Sequence, residues 1–152
     1  MKNVETVFVK SKYLQLNELG CKFNLSFSSQ LVLGDKVIAL DGIKRKLLVW
    51  EVNSSLDAAY VIDLNQVSSI TLRQIYRSIN HGELKHKEIG EFLERTDLQF
   101  NYRNTDVTHV VTFYDNGKHP LSDRQKLERN AKIWQMVLSK MLEPKMEKLI
   151  MK

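Results

Sequence analysis

The chain has 152 residues, 43% hydrophobic and 27% charged, with a formal net charge of +5. That balance describes one ordinary globular domain and excludes a disordered segment or a chain that needs covalent staples to fold. The lone cysteine, Cys21, excludes an internal disulfide and fits a reducing compartment, and no apolar run approaches the ~20 residues that span a bilayer.

The first 22 residues carry two segments, VETVFVK and YLQLNEL, each readable as a strand, with Gly20 ending the second. From residue 23 the pattern turns to β. Phe23, Leu25 and Phe27 alternate onto one face. KVIALDG and KLLVWEV form an expected hairpin around Asp41-Gly42 with a basic tip, Lys44-Arg45-Lys46. Leu48, Trp50 and Val52 share one face of its second arm. AYVIDL is a short strand of β-branched and aromatic residues. In SSITLRQIYRSI the apolar phase moves from Ile70 and Leu72 to Ile75, which predicts a bulge or a strong bend.

Residues 80–96 are polar, with Gly82 and Gly90. Ile89, Phe92 and Leu93 suit one amphipathic turn beneath a loop. DLQFNYR then gives the cleanest alternation in the chain. Leu98, Phe100 and Tyr102 face one way, and Gln99, Asn101 and Arg103 the other. THVVTFYD is the last strand, closed by Asn116-Gly117.

The spacing predicts one long helix from about Ser122 to Leu142, with Ser122 as N-cap, Gln125 completing a capping box, and Pro144 beyond its end. Leu127, Ala131, Trp134, Leu138 and Met141 make an apolar stripe, widened by Ile133, Val137 and Leu142. Such a face needs the sheet as its partner. Trp134 is therefore expected to be buried against strand residues such as Trp50, Leu48 or Phe113.

Seven strands followed by one amphipathic helix predict a mainly β (α+β) fold, a bent antiparallel sheet or barrel with the helix across its opening. The segments KVIALDGIKRKLLVWEV, YVIDLNQVSSITL, LQFNYRN, THVVTFYDNG and LERNAKIWQMVLSKML carry a resemblance to the pleckstrin-homology-like superfold. That superfold has seven strands in two near-orthogonal sheets and a C-terminal helix with a characteristic Trp. These segments also resemble bacterial proteins of Bacteroidetes type, which bring no activity with them. The organisation expected is an N-terminal extension over residues 1–22, a single domain over 23–144 with an insertion at 80–96, and a basic tail at 145–152.

Chemistry-bearing motifs are sparse. No G-x-S-x-G, P-loop, G-x-G-x-x-G or C-x-x-C is present, and no spacing forces two carboxylates together. His81 and His86 share a loop with Glu83 and Glu88 but lack the spacing of a metal site. His109 falls on the Val111/Phe113 phase and reads as a histidine at the core edge. No cofactor is implied.

The basic excess lies late in the sequence. Residues 118–152 hold nine basic and four acidic side chains, while residues 1–117 hold fourteen of each. Membrane-binding members of the resembled superfold hold inositol phosphates with basic residues at the first hairpin. Here Lys36, Lys44, Arg45 and Lys46 occupy or flank a similar hairpin, although Lys46 stands where the family motif has Arg. In LRQIYRS and FNYR, aromatic residues alternate with cations, a pattern that also suits stacked bases. The leading reading is a non-catalytic interaction module in the cytoplasm, or the cytoplasmic domain of a longer protein. Its sheet edges and loops would meet a protein or peptide. The alternative is an anion-binding module for acidic lipid or nucleic acid, acting through the basic hairpin tip and tail.

Overall fold

The computed structural model describes residues 4–34, 36–52 and 58–142, with side chains in the first helix described from Leu14 onward. These residues form a mainly β structure of two antiparallel sheets, one of four strands and one of three. Seven strands are present among the described residues, the number expected, but they do not close into a barrel. The chain divides into two compact units, Met1–Leu64 and Asn65–Lys152.

The first unit is a meander with a helix on one face. Helix α1 (Val4–Phe23) precedes β1 (Ser29–Val32), β2 (Lys36–Asp41), β3 (Lys46–Glu51) and β4 (Ala59–Asp63), which pair in sequence order. Cross-strand register aligns Val37–Trp50–Ala59 and Ala39–Leu48–Val61 on one face. Leu16 and Leu19 of α1, with Leu25 just beyond it, cover Val37, Ala39, Leu48 and Trp50, and Phe23 and Phe27 fill the margin. Leu16, Leu19 and Phe23 recur at helical spacing, so one side of α1 meets the sheet. A side chain of this size contributes about 1.5–3 kcal/mol when fully buried.

This corrects the strand expectation for the start of the chain, since residues 4–22 are helix throughout. It also moves the first strand. Residues 24–28 are not strand, and β1 begins at Ser29. Phe23, Leu25 and Phe27 pack with the sheet as a helix end and the strap after it. Helix α1 ends in a Schellman motif. The Leu25 N–H donates to the Gly20 carbonyl at 2.8 Å and the Asn24 N–H to the Cys21 carbonyl at 3.2 Å. Asn24 takes the left-handed conformation this cap requires (φ 56). Gly20 is needed for closeness. A Cβ there would stand 3.1 Å from the Leu25 carbonyl and 3.2 Å from the Phe27 ring.

The second unit contains β5 (Val67–Tyr76), β6 (Leu93–Tyr102) and β7 (Thr108–Asp115), with helix α2 (Arg124–Lys140) packed across all three strands. Leu98, Phe100, Val111 and Phe113 are buried, as the alternation of LQFNYR predicts. Register slips at Ile75/Tyr76 and Thr96/Asp97. The second slip lets the consecutive residues Phe113 and Tyr114 both become buried.

The structure corrects both ends of α2. Leu121–Asp123 is a 3-10 turn, and α2 proper starts at Arg124 without a side-chain cap. The helix runs to Lys140, short of Leu142, and Pro144 lies outside the described residues. Leu127, Ala131 and Leu138 form its buried stripe, and Trp134 is only half-buried. Trp50 belongs to the core beneath α1. No helix of the described residues is long and apolar enough to cross a membrane.

Candidate interaction surfaces

The basic hairpin tip is a tightly tied turn. Asp41, 2% exposed, ends β2 and takes three backbone N–H groups. Its Oδ1 accepts from Lys44 at 2.9 Å and Ile43 at 3.1 Å, and its Oδ2 from Ser26 at 2.9 Å. The N–H groups of Lys44 and Ser26 hold the Asp41 carboxyl below its usual range, against the opposing effect of burial. Ser28 adds a second tie, since its hydroxyl accepts from Gly42 N–H and donates to the Leu40 carbonyl. Arg45 closes the turn in the left-handed conformation (φ 57), and its carbonyl accepts from the Leu64 N–H.

One of the cations predicted to bind an anion joins these ties. The Lys44 ammonium donates to the Asn24 carbonyl, at the end of α1. Lys46 stands in register between Asp41 and Asp63, and Lys36 is opposite Glu51. Opposite charges directly across a ladder offset one another. The tip therefore brings Lys44, Arg45 and Lys46 together in one turn, with the Lys44 ammonium on a backbone carbonyl and Lys46 in register between two carboxylates. The basic tail at 145–152 lies outside the described residues.

The connection between β5 and β6 is also tied to itself. The Arg77 guanidinium lies 4.3 Å from the centre of the Phe92 ring and pairs with Glu83 at 3.0 Å. The Arg77 hydrogen bond, followed by the Asn80 N–H, lowers the pKa of Glu83. The expected amphipathic turn is present as a 3-10 turn, Ile89–Phe92, with Glu88 and Glu91 forming a capping box. Phe92 and Leu93 are buried, while Ile89 is exposed. His81 and His86 are on the surface. An open hollow of about 550 Å³ lies beside Leu84, His86 and Glu91. Another, of about 440 Å³, adjoins Cys21, Leu25 and Phe27 in the first unit. Among the described residues, no group of three or more His, Cys, Asp and Glu side chains is placed to hold a metal ion. His109 corrects the core-edge expectation, because it is exposed and meets Tyr102 edge-to-face at 5.6 Å.

A third polar surface is the outer face of β5–β6–β7. Register sets Ser69–Asn101–Thr108, Thr71–Gln99–Val110, Arg73–Asp97–Thr112 and Ile75–Arg95–Asp115 in successive rows. Side-chain hydrogen bonds link these rows, each donor handing on to the next acceptor. Arg73 donates to Gln99 Oε1 at 3.1 Å, and Gln99 Nε2 donates to Asn101 Oδ1 at 2.8 Å. Asn101 Nδ2 then donates to the hydroxyls of Ser69 at 2.9 Å and Thr71 at 3.2 Å. Beside this chain, buried Asp97 accepts from Thr112 at 2.8 Å and Arg95 at 2.9 Å.

The direction has a chemical consequence. Each amide oxygen already accepts one bond inside the chain, and its ends carry the hydroxyls of Ser69 and Thr71, free to donate, and further N–H groups of Arg73. Val110 stands in the central row, 45% exposed. The face is a grid of hydrogen-bonding side chains in fixed register, with Val110 exposed among them. Sequence reading separated Gln99 and Asn101 from the core face without assigning them a role. The signal was that Ser69, Thr71 and Arg73 alternate in the same way one strand earlier. Searches against family models, curated proteins and solved structures return no match for this chain.

Proposed function

We propose that the chain is a non-catalytic binding module of pleckstrin-homology-like type whose outer β5–β6–β7 face holds a protein or peptide partner. The order of strands, four then three, followed by α2 supports the superfold reading. The binding reading rests on one observation, the directional chain from Arg73 through Gln99 and Asn101 to Ser69 and Thr71 on an exposed sheet face. Side chains held in one arrangement before contact lose little entropy on binding. Their outward donors suit the carbonyl and carboxylate acceptors of a polypeptide, and Val110 supplies an apolar anchor.

A photo-crosslinking residue at Val110, in the full chain in its source cell, tests this reading. The comparison position is Ile43 at the hairpin tip, which is 95% exposed. One discrete protein adduct at Val110, lost on Arg73→Glu, is expected. Adducts at Ile43 with none at Val110 would argue for the tip instead.

A further inference from the structure

Helix α2 has a second surface. Its residues include five cations and one carboxylate, Glu128. Glu128 is half-buried and pairs with Arg124 at 3.4 Å. On the side away from the sheet, Ile133, Met136 and Val137 are 46%, 53% and 44% exposed. They occupy positions i, i+3 and i+4, so they form one contiguous patch. Lys126, Arg129 and Lys140 fall on the same stripe, above and below it, and all three are exposed.

We infer that this stripe docks an acidic protein segment, one presenting a short apolar patch flanked by Asp or Glu. Charge complementarity selects this occupant. An apolar centre ringed by cations, with no carboxylate on the stripe, matches the inverse pattern on a partner. A second copy of the same surface would set cation against cation. A lipid surface is less well matched, because interfacial helices place aromatic rings on the buried side. The one aromatic of α2, Trp134, is half-buried about 100° around the helix from Ile133. Met136 gives the patch an adaptable side chain. This inference does not rest on the reading of the outer sheet face, since α2 packs on the apolar side of that sheet.

The test uses the full chain and a fluorescent synthetic helical peptide with Leu at i, i+3, i+4 and i+7 and Glu on both flanks. A second peptide carries Lys in place of Glu. Vesicles of phosphatidylserine and phosphatidylcholine provide the lipid arm. Anisotropy should show saturable binding of the Glu peptide, weakened about tenfold by Met136→Glu. The double variant Arg129→Glu/Lys140→Glu should lose the Glu peptide and gain the Lys peptide. All these positions are exposed, and circular dichroism verifies that each variant is folded. Equal binding of both peptides, indifference to both variants, or binding to vesicles without binding to the Glu peptide would overturn the inference.

Discussion

The Lys44 ammonium reaches back to the Asn24 carbonyl, joining the tip of the β2–β3 hairpin to the end of α1. The last carbonyls of a helix attract cations, so this lysine serves the Schellman cap. Lys44→Ala should lower stability by about 0.5–1 kcal/mol, the modest value expected of an exposed bond. Asn24→Gly should be tolerated, because its φ is left-handed, whereas Asn24→Ala should cost about 1 kcal/mol. Denaturant midpoints measure all three. The anion-binding alternative instead predicts that Lys44→Ala leaves the midpoint unchanged and reduces retention on heparin.

Asp41 ties the same turn from the other side. Its lowered folded pKa means that its contribution is fully present above the unfolded value and is lost as pH falls through the folded value. The loss begins within the ordinary carboxylate range and is complete only below the lowered folded value. Asp41→Asn should destabilise the chain by about 1.5–3 kcal/mol at neutral pH. The deficit should narrow as acid protonates Asp41 in the wild type. A pH series of denaturation midpoints gives the comparison.

Gly90 and Arg124 form a close pair in the second unit. A Cβ on Gly90 would meet the Arg124 guanidinium at 2.5–3.0 Å, and that group is held by Glu128. Gly90→Ala should cost at most about 1 kcal/mol, because the guanidinium at the end of a flexible side chain can shift from its Glu128 partner to make room. The cost should shrink in an Arg124→Ala background, which a double-mutant cycle would show.

The stripe on α2 separates buried from displayed residues. Leu138→Ala should cost about 3–4 kcal/mol, and Trp134→Ala, half-buried, about 2 kcal/mol. Val137→Ala should change the midpoint little. A loss at Trp134 as large as that at Leu138 would restore it to the centre of the contact.

Alternation made the β6 core legible, while β2 and β3, buried along both faces, were marked by their apolar runs on either side of the Asp41-Gly42 turn. Leu98 and Phe100 follow a period of two that a strand satisfies. The start of the chain misled because Val4, Val7 and Val9 favour strands locally, while the helical spacing of Leu16, Leu19 and Phe23 is sparse. Pattern also shows that a residue is buried without showing beneath what. Trp50 and Trp134 both suggested a sheet–helix contact, yet the helix over Trp50 is α1. The outer-face grid could not be read in advance, because it depends on cross-strand register. The positions of Gln99 opposite Thr71 and of Asn101 opposite Ser69 follow from the bulges.

The most direct test of the binding reading is a titration of isotope-labelled chain with the partner recovered by crosslinking, following the side-chain NH₂ signals of Gln99 and Asn101. These amides lie within the hydrogen-bonded chain, so contact on the outer face must disturb them. The account predicts that both signals move and saturate with the partner, together with the backbone signals of Thr71 and Val110. Stationary Gln99 and Asn101 signals, with shifts confined to Gly42, Ile43 and Lys44, would contradict it.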